Sequence, residues 1–240
     1  MLFIQKSVGK IKLKTVAMSA ILLAAVMLAG AGNAQAQDQG VLNEKQLSEL
    51  DQKANKWVSE AGVTDPAKAA KVAGFVKKHL VSVYTWNKTH SIDEVPAGVN
   101  PRTGEKLTDL DRSMIIQSTM PEEVHTSLMD SLKANLSPDQ VEKILDGYTI
   151  GKVAFTLKGY QAIVPNLTEK ETAEILKNLK QAREQAIDYK SMKEISAIFE
   201  IYKTKNEQYL NNNGRNWHQM FGDYVRKVQA EKKAKANKGK

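Results

Sequence analysis

Residues 166–210 read NLTEKETAEILKNLKQAREQAIDYKSMKEISAIFEIYKTKNEQYL, and this stretch decides the fold. Thr168 is a helix N-cap, and Glu171 three positions later can return a bond to its amide, a capping box. Ile175, Leu176, Leu179, Ala182, Ala186 and Ile187 then recur at helical spacing and form one apolar stripe. Ser191 is a second N-cap, which leaves Tyr189-Lys190 as the turn. The following stripe is Ile195, Ile198, Phe199, Tyr202 and Tyr209. Two apolar stripes joined by so short a turn must face each other, so the stretch is expected to fold as an αα-hairpin.

Working outward, Asn211, Asn212, Asn213 and Gly214 mark a helix stop, and Trp217, Met220, Phe221, Tyr224, Val225 and Val228 give a last helical stripe. Residues 229–240 contain only small, polar and charged side chains and are expected to form a disordered basic tail. On the other side, residues 148–165 break the helical rhythm. Val153, Phe155 and Leu157 alternate among Gly147, Gly151 and Gly159, which predicts an extended crossing segment followed by a turn or two of helix. A lone strand has no partner elsewhere, so no sheet is expected.

Earlier helices are expected over residues 43–61, from Pro66 through Trp86 and His90, around Leu110 and Met114, from Pro121, and from Ser137-Pro138 to a stop at Gly147. Residues 95–108 form the longest loop. The fold class is all-α, a single-domain bundle of about seven to nine helices over residues 37–228 with a central hairpin and one short irregular segment.

Residues 1–36 stand apart. Lys6, Lys10, Lys12 and Lys14 precede a small, apolar run, and Ala34-Gln35-Ala36 offers a cleavage site, the pattern of a secretory signal peptide. Cleavage before Gln37 predicts a periplasmic or secreted protein with no membrane span in its mature form. The chain has no cysteine, so packing alone must hold the fold, and thiolate metal sites are excluded. The formal charge of +8 is misleading, because the leader holds four of the lysines and residues 226–240 hold seven basic residues against Glu231. The remaining body is near −2. That is no nucleic-acid footprint, which needs a basic face on the folded part.

Arg183 lies inside the apolar stripe, seven residues past Leu176. A guanidinium there must either pair with a protein carboxylate, Asp188 being a candidate, or open onto a cleft where it meets a ligand. Trp86, Asn87 and His90 give the second helix a polar, aromatic end able to stack on and hydrogen-bond a sugar ring. Tyr148 and Tyr160, with Lys152 and Lys158, offer a second wall. Glu122 and His125 make a Glu-x-x-His pair of the kind bundle di-metal sites use, but no second copy exists, so no metal and no other cofactor is expected. Zincin, nucleophile-elbow and phosphate-loop motifs are absent. Their absence leaves two-carboxylate glycosidase chemistry open.

An ordered set of residues resembles a family of uncharacterised exported helical proteins of Bacteroidetes-type bacteria described as sugar-binding. It comprises Asp146-Gly147-Tyr148-Thr149, Lys158-Gly159-Tyr160, Pro165 to Thr168, Ala182-Arg183, Asp188, Ser191 with Lys193-Glu194, Phe199, Tyr202-Lys203 and Tyr209-Leu210. The likeness is good over residues 136–214. The chain departs from the family pattern at Ile195-Ser196 and at residues 204–208, which would alter a polar site there. The resemblance implies a periplasmic protein accessory to polysaccharide utilisation, with oligosaccharide or polysaccharide as partner. The ligand set expected from these readings together is Trp86, His90, Tyr148, Lys158, Tyr160, Arg183, Asp188, Tyr202 and Lys203. Two rival readings remain: an enzyme degrading uronate-containing glycans, and a structural or chaperone-like envelope protein whose basic tail touches acidic polymers.

Overall fold

The computed structural model describes residues 41–101 and 103–238, so the expected leader lies outside the described residues. Among the described residues there are nine α-helices: α1 (Glu44–Glu60), α2 (Pro66–Thr89), α3 (Asp109–Ser118), α4 (Glu122–Asn135), α5 (Pro138–Thr149), α6 (Lys152–Ile163), α7 (Glu169–Ala186), α8 (Met192–Asn212) and α9 (Trp217–Lys238). One 3-10 turn, Ile92–Glu94, follows α2, and the only extended pairing among the described residues is an isolated bridge between Val99 and Lys106.

Local chemistry sets the boundaries. Asn43, Thr108, Ser137, Thr168 and Ser191 each close a reciprocal capping box with the side chain three residues on, and Asp65 caps α2 ahead of Pro66. Each such cap is worth about 1 kcal/mol, enough to fix where a helix starts but not to hold it in water alone. Packing does the rest. α7 and α8 lie along each other as the expected hairpin, with Ile175, Leu179, Ala182 and Ala186 against Ile195, Ile198, Phe199 and Leu210. A buried amide pair also crosses the hairpin, Asn178 Nδ2 donating to Asn206 Oδ1 at 2.7 Å. Glu171 both caps Thr168 and takes two 2.8 Å bonds from Arg215, which ties the α8–α9 link to the start of α7. Those Arg215 bonds outweigh burial and bring the Glu171 carboxyl down to about 2.

The core has two parts. One gathers Leu50, Ala54 and Val58 of α1, Val72, Val76 and Leu80 of α2, Leu128 and Leu132 of α4, and Ile144 and Leu145 of α5. The other is the hairpin with Val153 and Tyr160 of α6. Ala186 belongs to the hairpin core and Ile187 to the first, so the α7–α8 turn is the joint between them.

Three expectations fail. Residues 148–165 are not an extended crossing: α6 is a full helix whose inner residues are Val153 and Tyr160, with Leu157 half-buried between them and Val164 buried at its C-cap. Val153 and Leu157 are spaced as well for a helix as for a strand, and Phe155, which completed the false alternation, is 79% exposed. Nor is the tail irregular from residue 229. α9 continues to Lys238, on alanine, lysine and glutamate, all good helix formers.

Gly147 was expected to stop α5 but sits inside it. A Cβ there would lie 2.5 Å from Trp57 Cγ, so the missing side chain lets the α1 indole lie on the α5 backbone. The same ring meets Tyr148 at 4.5 Å between centroids. Gly147→Ala should therefore destabilise by about 1–3 kcal/mol through overpacking, although alanine is the better helix former by about 1 kcal/mol. Urea unfolding of the variant measures it, and unchanged or increased stability would contradict this packing.

Candidate functional site

The joint between the two cores carries Asp188. Its Oδ1 accepts from His79 Nε2 of α2 at 2.9 Å, and its Oδ2 accepts from His125 Nδ1 of α4 at 2.8 Å. An ionised carboxylate only accepts, so each ring must present an N–H to it. His79 Nδ1 lies 3.1 Å from the Tyr148 hydroxyl of α5, and in the neutral ring it accepts the phenol O–H. The string Tyr148–His79–Asp188–His125 runs from the interior outward: the His79 side chain is 1% exposed, those of Asp188 and His125 21% and 24%.

Burial alone would raise the Asp188 carboxyl, but the bonds and charges of His125 and His79 outweigh it and hold the group below the ordinary 3.8. His125 is raised above 6.5 chiefly by its bond to Asp188, with Glu184 helping and burial and Lys133 opposing. Burial pushes the Tyr148 phenol well above 10, so it stays protonated as a donor.

The outer end of the string opens into a cleft of about 720 Å³. Beside His125 and Asp188 stand the carboxylates of Glu122 and Glu184 and the amides of Gln117, Gln181 and Gln185. Tyr189, Tyr202 and Met120 supply its apolar surface, and among the described residues neither lysine nor arginine lines it. His125 Nε2 is 3.9 Å from Glu184 Oε1, close enough to feel its charge but too far for a hydrogen bond. Gln117 is 2% exposed; its Nε2 reaches only the Met120 thioether at 3.7 Å, and its Oε1 has no donor. A shallower depression of about 290 Å³ among Glu49, Gln52, Lys53 and Lys56 sits on one exposed stretch of α1 and gathers no buried polar group.

Of the nine expected ligand residues, Asp188 and Tyr202 line the cleft. The others are placed apart from its lining. Trp86 donates Nε1–H to Ile116 O at 3.0 Å and stacks on His90 at 3.7 Å between centroids, which fastens the end of α2 to α3. Tyr148 belongs to the buried string. Tyr160 is buried beside Trp217 and donates its hydroxyl to the Lys203 carbonyl at 3.1 Å. Lys158 is exposed, and the Lys203 ammonium pairs with Glu200 at 2.8 Å.

Arg183 is 2% exposed and sealed against α5, with 2.7 Å ion pairs to both Glu142 Oε2 and Asp146 Oδ1. Its partners are these, not Asp188. The sequence reading missed His79 and the three glutamines, and weighed His125 only as half of a metal motif. His79 carried a usable signal, since an imidazole inside an apolar stripe must find a polar partner. The glutamines carried none, because nothing in their spacing separates a cleft amide from a solvated one.

Fold and geometry together define an all-α bundle protein whose polar core string ends in an amide- and carboxylate-lined cleft. Over residues 47–230 the chain matches the family described as "Protein of unknown function (DUF3826)", and it belongs to that family. The matched span includes every cleft residue named above. No curated protein matches the chain. Among the described residues, no group of three or more histidine, aspartate and glutamate side chains is placed to hold a metal ion.

Two measurements check this description. Glu142 and Asp146 are 36% and 40% exposed and can turn to water if the cation is removed, whereas Arg183 cannot. The double variant Glu142→Gln/Asp146→Asn should therefore lose about 3–5 kcal/mol in urea unfolding, and Arg183→Met distinctly less. For the histidine, a raised folded-state pKa means that its stabilisation is complete below 6.5 and lost as pH rises through the raised value. The lowered Asp188 contributes above 3.8 and fades as pH falls through its folded-state value. The wild-type protein should lose stability on going from mildly acid to mildly alkaline pH, and His125→Gln should lose less; equal slopes would refute the pairing.

Proposed function

We propose that this is an exported carbohydrate-binding protein, accessory to polysaccharide utilisation, that holds an oligosaccharide in the His125–Asp188 cleft. The observation that carries the reading is the lining itself. Sugars offer hydroxyls that both donate and accept, together with apolar C–H faces. Three glutamine amides, two free carboxylates and an imidazole can answer the first, and the rings of Tyr189 and Tyr202 the second. The volume of about 720 Å³ falls within the usual range of small-molecule sites.

The reading moves the site away from the Trp86–His90 and Tyr148–Tyr160 walls expected from sequence. It also removes the support for uronates, because the guanidinium meant to meet their carboxylates is committed to Glu142 and Asp146. Export rests on the leader pattern of residues 1–36. Among the described residues no helix is long and apolar enough to cross a membrane.

Calorimetric titration with a broad panel of oligosaccharides tests the proposal. Binding is expected, weakened about tenfold or more by Tyr202→Ala and by Gln181→Ala at unchanged unfolding midpoints. Silence across the whole panel would remove the reading. One observation favours a catalytic variant of it: His125 Nδ1 is clamped by a carboxylate while Nε2 has no hydrogen bond among the described residues, the arrangement of an oriented base. New reducing ends or unsaturated products from treated polysaccharide, abolished by His125→Gln, would establish turnover.

A further inference from the structure

The charge of the cleft is one-sided. Among the described residues, no lysine or arginine lines this surface. Asp188 spends both oxygens on imidazoles, so Glu122 and Glu184 are the carboxylates left for a ligand. Among the described residues, no lysine or arginine pairs with either; the nearest cationic group is the His125 ring, 3.9 Å from Glu184.

A second feature asks for a donor independently of those acids. Gln117 is almost wholly buried at the cleft wall, and among the described residues its Oε1 meets no N–H or O–H. A buried amide oxygen left in that state is costly, so a ligand donor that reached this wall would relieve the cost.

We infer that the cleft selects an oligosaccharide bearing a free primary ammonium, an amino sugar without its N-acyl group, over neutral and uronate glycans. The inference rests on the carbohydrate reading above and adds its substrate class. An ammonium brings three donors and a positive charge to a surface whose unspent groups are the Gln117 carbonyl, two carboxylates and tyrosine rings. N-acylation removes the charge, and a uronate brings a carboxylate towards Glu122 and Glu184, where like charges repel.

The test is calorimetry on the full mature chain with four probes: a glucosamine tetramer, the N-acetylglucosamine tetramer, a galacturonate tetramer and spermidine. The glucosamine tetramer should bind roughly tenfold tighter than its acetylated counterpart, and the galacturonate least. Glu122→Gln/Glu184→Gln should erase that preference, bringing the glucosamine tetramer level with its acetylated counterpart whatever the change in overall affinity; both glutamates are exposed, and an unchanged unfolding midpoint confirms the fold. If acetylated or other neutral oligomers bind and the amine binds no tighter, or if the double variant keeps the preference, the inference is overturned and the carbohydrate reading stands. Spermidine matching the glucosamine tetramer overturns the assignment to a sugar. If no glycan binds at all, both fall together.

Discussion

One carboxylate organises this molecule. Asp188 takes a hydrogen bond on each oxygen from a different helix, and through His79 it reaches Tyr148 on a third. The group sits where the chain crosses from the hairpin core to the core of α1, α2, α4 and α5. Aliphatic contacts at such a joint would let the halves slide, because dispersion is not directional. Two short bonds to imidazoles fix the register. They also place a partly exposed imidazole at the cleft edge with its Nδ1–H already committed, an orientation that a free surface histidine would not have.

Arg183 solves a related problem in the opposite way. Both residues sit on or just beyond α7, and both put charge where water is scarce. The guanidinium faces two carboxylates that remain partly wet, so the pair is closed on itself and spans α5 to α7 as a strut. Asp188 faces two imidazoles, one sealed and one open. The first arrangement ends in a neutralised interior, the second in a path of polar atoms that reaches solvent.

Much of the architecture was legible from residue order. Caps such as Thr168–Glu171 and Ser191–Glu194 are local, so their sequence signature survives into the fold unchanged. The amphipathic stripes of α7 and α8 were equally plain. What misled was glycine: Gly147 looked like a stop because the indole that needs its bare Cα lies far away in sequence, on α1. The site was less legible. Arg183 was recognised as a buried cation in need of a partner, but α5 had to be placed before that partner could be named. Asp188 and Tyr202 were singled out, whereas His125 looked like half of a metal motif. Its real partner is 63 residues away, beyond any local pattern.

The far end of α9 behaves differently from everything before it. From residue 229 to 235 every side chain is exposed, so no apolar face holds these turns against the bundle. Their helicity depends on alanine and lysine propensity alone, and a short stretch of that kind melts gradually, without a sharp midpoint. Heating should therefore bleed ellipticity from the protein well before the cooperative loss of its two cores, giving a dichroism curve with a steep initial baseline. A two-state fit that ignored this slope would misjudge the enthalpy of the whole fold.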